Sequence, residues 1–181
     1  MHKIIFVLII LSLFVSSAAY AAPLQSGTNF PDIRLEGKLT GEQKKYLDLK
    51  GDGPWKISDI EADYLIIEVY SMYCPHCQRE APAVNSFCNL LSKSKECAEV
   101  KFIGLAAGNT EFEIDFFKEK FGVEFPIFAD PELEIHDEIG QPGTPHFFML
   151  KNEDGNFKII LSHEGPFESA DKFIELIKDK L

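Results

Sequence analysis

A chain of 181 residues, 45% hydrophobic and 26% charged, is long enough for one packed domain with an extension. Its 12 Gly, 10 Pro and ordinary apolar content exclude collagen-like, coiled-coil and wholly disordered chains. With 18 Lys+Arg against 29 Asp+Glu, the net charge of −11 argues against a broad phosphate-binding surface, so no nucleic-acid partner is expected. Four cysteines are too few for a disulfide scaffold but enough for specific thiol chemistry.

The chain opens with basic His2 and Lys3, followed by an apolar run from Ile4 to Leu11 that continues through Leu13, Phe14 and Val15. Ala19 and Ala21 flank Tyr20 in the A-x-A pattern of a secretory cleavage site. The strongly apolar part is shorter than the ~20 residues that span a bilayer. Residues 1–21 are therefore expected to be a removable signal peptide, with an uncleaved N-terminal anchor as the competing reading. Cleavage would remove Lys3 and no acid, leaving 17 − 29 = −12. The mature protein is expected outside the inner membrane, in the periplasm, where disulfides persist and no stable membrane insertion remains.

Residues 22–58 read as a loop-rich extension, with Gly27, Pro31, Gly37, Gly41, Gly51, Gly53 and Pro54, and with short strands around Ile33–Leu35 and Tyr46–Leu49. Residues 59–181 read as an α/β domain. Tyr64–Tyr70 is β-branched, aromatic and almost continuously apolar, as in a central strand covered on both faces. Pro75 suits the first turn of a helix whose buried stripe is Ala81, Val84, Phe87, Leu90 and Leu91. A strand at Val100–Ala106 and a helix at Glu111–Phe121, stopped by Gly122, come next. A short strand at Phe125–Phe128 and a short helix at Leu133–Ile139, ended by Gly140, follow. His146–Lys151 and Phe157–Leu161 flank a turn at Asn152–Gly155 and predict a hairpin. An amphipathic helix from Ser169 to Leu181 closes the chain through Phe173, Ile174 and Ile177. The expected fold is a three-layer α/β arrangement, a mixed central sheet flanked by helices. Phe147, Phe148 and Met149 are better explained by a central strand than by a substrate groove.

Cys74-Pro-His-Cys77 carries the chemistry. Two cysteines three apart, where a strand runs into a helix, can close a small disulfide. The helix N-terminus acts as roughly half a positive charge, and a protonated His76 would add to it. Such surroundings lower a Cys pKa from ~8.5 to ~3.5–7.5. Cys74, at the exposed turn, suits the nucleophile; Cys77, one turn inward, suits the resolving thiol. A zinc site needs four ligands, and no second close cysteine pair exists. Attached haem needs His where Gln78 stands. A purely structural Cys74–Cys77 bridge would gain little chain entropy from so small a loop. No metal and no cofactor is expected.

The stretch Ile67–Cys77 resembles the strand-to-helix active site of thioredoxin-fold oxidoreductases. Its Cys-Pro-His-Cys centre resembles that of the periplasmic oxidant DsbA. Glu80 and Pro82, Phe125–Asp130 and Gly143-Thr-Pro145 resemble the TlpA/ResA branch, which includes peroxiredoxin-like relatives. The resemblance implies a thioredoxin-like domain and a thiol–disulfide oxidoreductase acting on protein thiols or disulfides, recycled by an unidentified redox partner. It implies that Thr144-Pro145 is the cis-proline loop lying against the disulfide and meeting substrate, a trans Pro145 in an ordinary turn being the alternative. It also implies that Glu68 is a buried acid exchanging a proton with Cys77; a strand-edge Glu reaching solvent is the plain alternative. Glu80 is either the branch's acid or a solvated helix-surface charge, and His146 either faces the site or is structural. Tyr73 replaces the family's usual Trp, and the only Trp is Trp55. The motif dipeptide favours an oxidase or isomerase, the scaffold a reductase.

Cys88 and Cys97 are expected to pair as a structural disulfide, a second redox relay or free buried thiols being the alternatives. Two further readings compete for function. A thiol peroxidase would have Pro and Thr/Ser seven and three before its reactive Cys, where Ile67 and Ser71 stand. A non-catalytic binding module would carry an incidental disulfide.

Overall fold

The computed structural model describes residues 22–181; the predicted signal peptide lies outside the described residues. β1 (Arg34–Leu35) and β2 (Trp55–Lys56) pair antiparallel, with α1 (Gly41–Leu47) between them. The strand expected at Tyr46–Leu49 is thus corrected to the end of a helix. Thr40 and Gln43 form a reciprocal capping box, with N–H to oxygen distances of 3.1 Å each way, and Asp48 ends the helix in the left-handed region. Leu47 and Leu49 are buried, while the Tyr46 hydroxyl accepts the Phe102 N–H at 2.8 Å. The apolar spacing that suggested a strand is the inner side of a short helix and its exit.

The main elements follow as β3 (Tyr64–Tyr70), α2 (Pro75–Lys93), β4 (Val100–Ala107), α3 (Glu111–Phe121) and β5 (Ile127–Asp130). Then come α4 (Glu134–Glu138), β6 (His146–Glu153), β7 (Asn156–Glu164) and α5 (Ala170–Lys178). The sheet order is β5-β4-β3-β6-β7, with β3, β4 and β5 parallel and β6 and β7 antiparallel to their neighbours. This is the mixed sheet between helices read from the sequence. β5 starts two residues late because Pro126 has no N–H to give; its carbonyl accepts from Gly104 N instead. The hairpin turn tightens to Asp154-Gly155, both at positive φ (54° and 88°), as a two-residue turn requires.

Along β3 the side chains alternate between two buried faces. Ile66 packs with Phe87 and Leu91 of α2, Phe147 and Met149 of β6, and Phe173 and Ile177 of α5. Leu65, Ile67 and Val69 pack on the other face with Phe30, Ile33, Leu35, Leu47, Trp55 and Phe148. Burial on both faces explains why β3 reads as a continuous apolar run. It also means that the segment read as an extension, residues 22–58, packs over one face of the sheet. The segment 27–36 touches both edges of the sheet. Gly27 and Phe30 donate to Ile159 and Phe157 on β7, and Ala129 on β5 donates to Glu36.

Phe148 is fully buried and meets Phe30 edge-on at 5.5 Å. Phe148→Ala should cost about 3–5 kcal/mol in urea denaturation. A loss below about 1 kcal/mol would contradict the two-faced core.

Candidate active site

β3 delivers the chain to Ser71-Met-Tyr, and α2 begins immediately after Cys74. Cys74 is the N-cap residue. Its half-buried Sγ accepts the Cys77 N–H at 3.4 Å and, as a thiol, donates to the Thr144 carbonyl at 3.2 Å. Burial alone would raise the Cys74 thiol, but hydrogen bonds from Thr144, Cys77 and His76 outweigh it and hold the thiol below its ordinary value. Cys77, one helical step inward, is 1% exposed among Tyr70, Ala81, Ala106 and Phe117. Burial, then the negative charges of Cys74 and Glu68, push it far above the ordinary range. The two sulfurs are thus split into an ionisable outer thiol and a protonated inner one.

Thr144-Pro145 lies against this pair, the Thr144–Pro145 peptide is cis, and Pro145 is buried. Pro75 occupies the first helical position, and His76 is exposed. Arg79 donates to His76 Nδ1 at 2.9 Å. The Arg79 guanidinium, a permanent cation, thus stands beside the motif dipeptide.

Beneath the motif lie two buried carboxyls. Glu68 is 4% exposed; burial, then the charge of Glu80, pushes its pKa up to about 8. Its charge is felt at Cys77. Glu80 is 8% exposed, its carboxylate accepting the Phe167 N–H at 3.1 Å; burial raises it, and Phe167 and His163 hold it back. The strand-edge and solvated-surface alternatives for these acids fall with that burial. His146 takes the structural role. It is 2% exposed on the roofed face, bonded through Nε2 to Ser162 Oγ at 2.9 Å, and burial lowers its pKa to about 4.

Cys88 and Cys97 are free thiols here, as are Cys74 and Cys77, so the expected Cys88–Cys97 bridge is absent from this structure. Burial and the Glu68 charge raise Cys88 well above its ordinary value. Both residues line a cleft of about 1340 Å³ shared with Tyr46 and Phe125.

Sequence reasoning missed a backbone clamp. Asn109, fully buried after β4, accepts the Met72 N–H at 2.8 Å and donates to Ser71 Oγ and the Gly108 carbonyl. Gln78 donates to the Met72 carbonyl at 2.6 Å. Both polar groups of Met72 are thus held by side chains, which fixes the approach to Cys74. The one available signal was a Gly-Asn pair closing an apolar strand.

A dithiol at a strand-to-helix junction, a facing cis-proline loop and this sheet order define a thiol–disulfide oxidoreductase of thioredoxin-like fold. The chain belongs to the AhpC/TSA family, whose sequence model matches residues 27–156. It is similar to the thiol-disulfide oxidoreductase ResA of Halalkalibacterium halodurans, 29% identical over 133 residues, 72% of this chain and 71% of that protein. It is 22% identical to ResA of Bacillus subtilis over 138 residues, 76% of this chain and 68% of that protein. The fold is similar to that of a secreted Mycobacterium tuberculosis disulfide oxidoreductase homologous to E. coli DsbE. That match has TM-score 0.59 and 16% identity, covering 82% of this chain and 96% of that one. It is similar also to a thiol:disulfide interchange protein from Bacteroides sp., with TM-score 0.62 and 14% identity over 86% of this chain and 90% of that one.

Two outcomes test the site. Asn109→Ala strands the Met72 N–H and should cost about 1–3 kcal/mol in urea denaturation, with slower alkylation of Cys74. Glu68 has a raised native pKa, so its contribution to stability is complete below pH 4.5 and is lost as pH rises towards about 8. Glu68→Gln should therefore flatten the fall in melting temperature between pH 5 and pH 8; an unchanged slope would mean that Glu68 is not the group titrating.

Proposed function

We propose that this protein is exported to the periplasm and exchanges disulfides with cysteines of protein substrates through Cys74 and Cys77. The observation that carries the reading is the split between the two sulfurs: Cys74 lowered at a helix N-terminus, Cys77 buried and raised. The Cys74 thiolate attacks one sulfur of a partner disulfide, forming a mixed disulfide and releasing the other sulfur as thiolate. Cys77 then gives its proton to the Glu68 carboxylate and attacks the Cys74 sulfur. The partner leaves with both sulfurs reduced, and Cys74–Cys77 takes up the disulfide. In the reverse direction the Cys74–Cys77 disulfide oxidises a partner dithiol, and Glu68 returns the proton. A carboxyl near pH 8 is matched to that double task. Thr144 and Pro145 would contact the partner backbone, while Pro75 and His76 shape the turn that presents Cys74.

A stabilised Cys74 thiolate favours the reduced form and so makes the disulfide oxidising, which with the Pro75-His76 dipeptide supports an oxidase or isomerase. A reduction potential near thioredoxin's ~−270 mV would overturn that direction and leave a reductase. Cys88 and Cys97 are proposed to close a bridge in the oxidising compartment; peptide mass mapping of the unreduced protein would show it, and a Cys74–Cys88 link would overturn the pairing. The described residues include no helix long and apolar enough to cross a membrane.

Cys74→Ser should abolish insulin reduction and refolding activity, and Cys77→Ser should trap mixed disulfides whose mass identifies partners. Iodoacetamide alkylation against pH should give a Cys74 midpoint below that of a free cysteine, ~8.5. An ordinary midpoint in the native protein would remove the basis of the proposal. The family match also favours a second reading, thiol peroxidation at Cys74. Peroxide consumption that survives Cys77→Ser would carry it.

A further inference from the structure

Among the described residues the exposed large hydrophobics are Tyr46, Tyr73, Phe112, Phe116, Leu133 and Leu181. Three of them, Tyr73 at 64%, Phe112 at 79% and Phe116 at 48% exposure, line one shallow pocket of about 410 Å³ with Met72, Thr110 and Glu113. Phe112 and Phe116 stand one helical turn apart on the outward side of α3, while Ile114 and Phe117 of the same helix are buried. The core therefore does not require aromatic rings at 112 and 116.

The pocket is built, not incidental to a floppy loop. The Tyr73 hydroxyl donates to Glu113, whose carboxylate also takes the Thr110 N–H at 2.7 Å and the Thr110 hydroxyl at 2.8 Å. One ring of the pocket is thereby tethered to the first turn of α3. Met72, the next wall, is fixed at its backbone by Asn109 and Gln78. Tyr73 directly precedes Cys74, so pocket and nucleophile ride on one rigid loop. A partner that brings a sulfur to Cys74 necessarily brings its neighbouring residues to Tyr73. A rigid ring with an apolar body and a satisfied hydroxyl offers contact area at little entropic cost.

We propose that this aromatic shelf selects substrate: it takes a bulky apolar side chain flanking the cysteine in an extended segment of the partner protein. The inference rests on the reading of Cys74 as nucleophile and names its substrate class. In an extended segment successive side chains are ~3.3 Å apart along the chain and alternate in direction, so the residue next to the cysteine or two beyond it reaches the shelf. The site accordingly prefers cysteines in apolar sequence, the kind uncovered when a protein is unfolded.

The test compares second-order rates of the reduced protein with two disulfide-linked peptides, one carrying Leu and Phe beside its cysteine and one carrying Ser and Gly. Oxidised glutathione serves as the small control. The protein should favour the apolar peptide by about tenfold or more, the scale expected for partial burial of one large side chain. Phe112→Ser with Phe116→Ser should remove most of that preference while the glutathione rate stays unchanged. Equal rates with both peptides, or a preference that survives the double substitution, would overturn the shelf and leave the dithiol proposal standing. A Cys74 unreactive towards all three disulfides would overturn both. If a second copy of this chain is the occupant instead, sedimentation would show a dimer dissolved by Phe112→Ser, with no change in peptide preference. That outcome also overturns the proposal.

Discussion

The interaction on which the rest depends is that between the Cys74 sulfur and the first turn of α2. The nineteen residues of that helix present unpaired N–H groups at their start, and Cys74 is placed as their cap. Everything around the motif serves to hold that geometry. Asn109 and Gln78 lock Met72, the Thr144 carbonyl touches the sulfur, and Arg79 bonds the His76 ring. A half-buried thiol left alone would be harder to ionise than a free one. Here directed hydrogen bonds reverse the sign of the burial effect.

Below the motif the same physics runs the other way. Cys77, Glu68 and Tyr70 lie in an apolar layer where charge is disfavoured, and each is raised from its ordinary value. The Tyr70 hydroxyl has no hydrogen-bond partner among the described residues. Burying two carboxyls, Glu68 and Glu80, under a sheet is costly to folding, and neither forms a salt bridge among the described residues. For Glu68 that cost supports the proton-handling role proposed above, while Glu80 ties α2 to the Phe167 backbone.

Much of this was legible in the sequence because its signals are local. The apolar run of β3, Pro75 after Cys74 and the turn at Asp154-Gly155 each place an element without reference to distant residues. Tyr46–Leu49 was misread because three apolar residues within four positions fit a short strand as well as a helix end. The capping box of Thr40 and Gln43 decides between them. The contact of Arg79 with the His76 ring was not read because it depends on side-chain placement, which local spacing does not show. Asn109 was invisible for a related reason: its partners Ser71 and Met72 are far upstream, and only the parallel pairing of β3 with β4 brings them together.

The segment from Gly27 to Glu36 joins both open margins of the sheet, bonding to β7 near its start and to β5 at its end. Unpaired strand margins are templates for association with other chains. One stretch of ten residues thus guards two such templates, and its guard is shared: a local fluctuation that lifts the stretch bares both at once. Fibril growth needs two free sides on each subunit, one to add to and one to be added upon. In this molecule a single loosened ribbon would supply the pair.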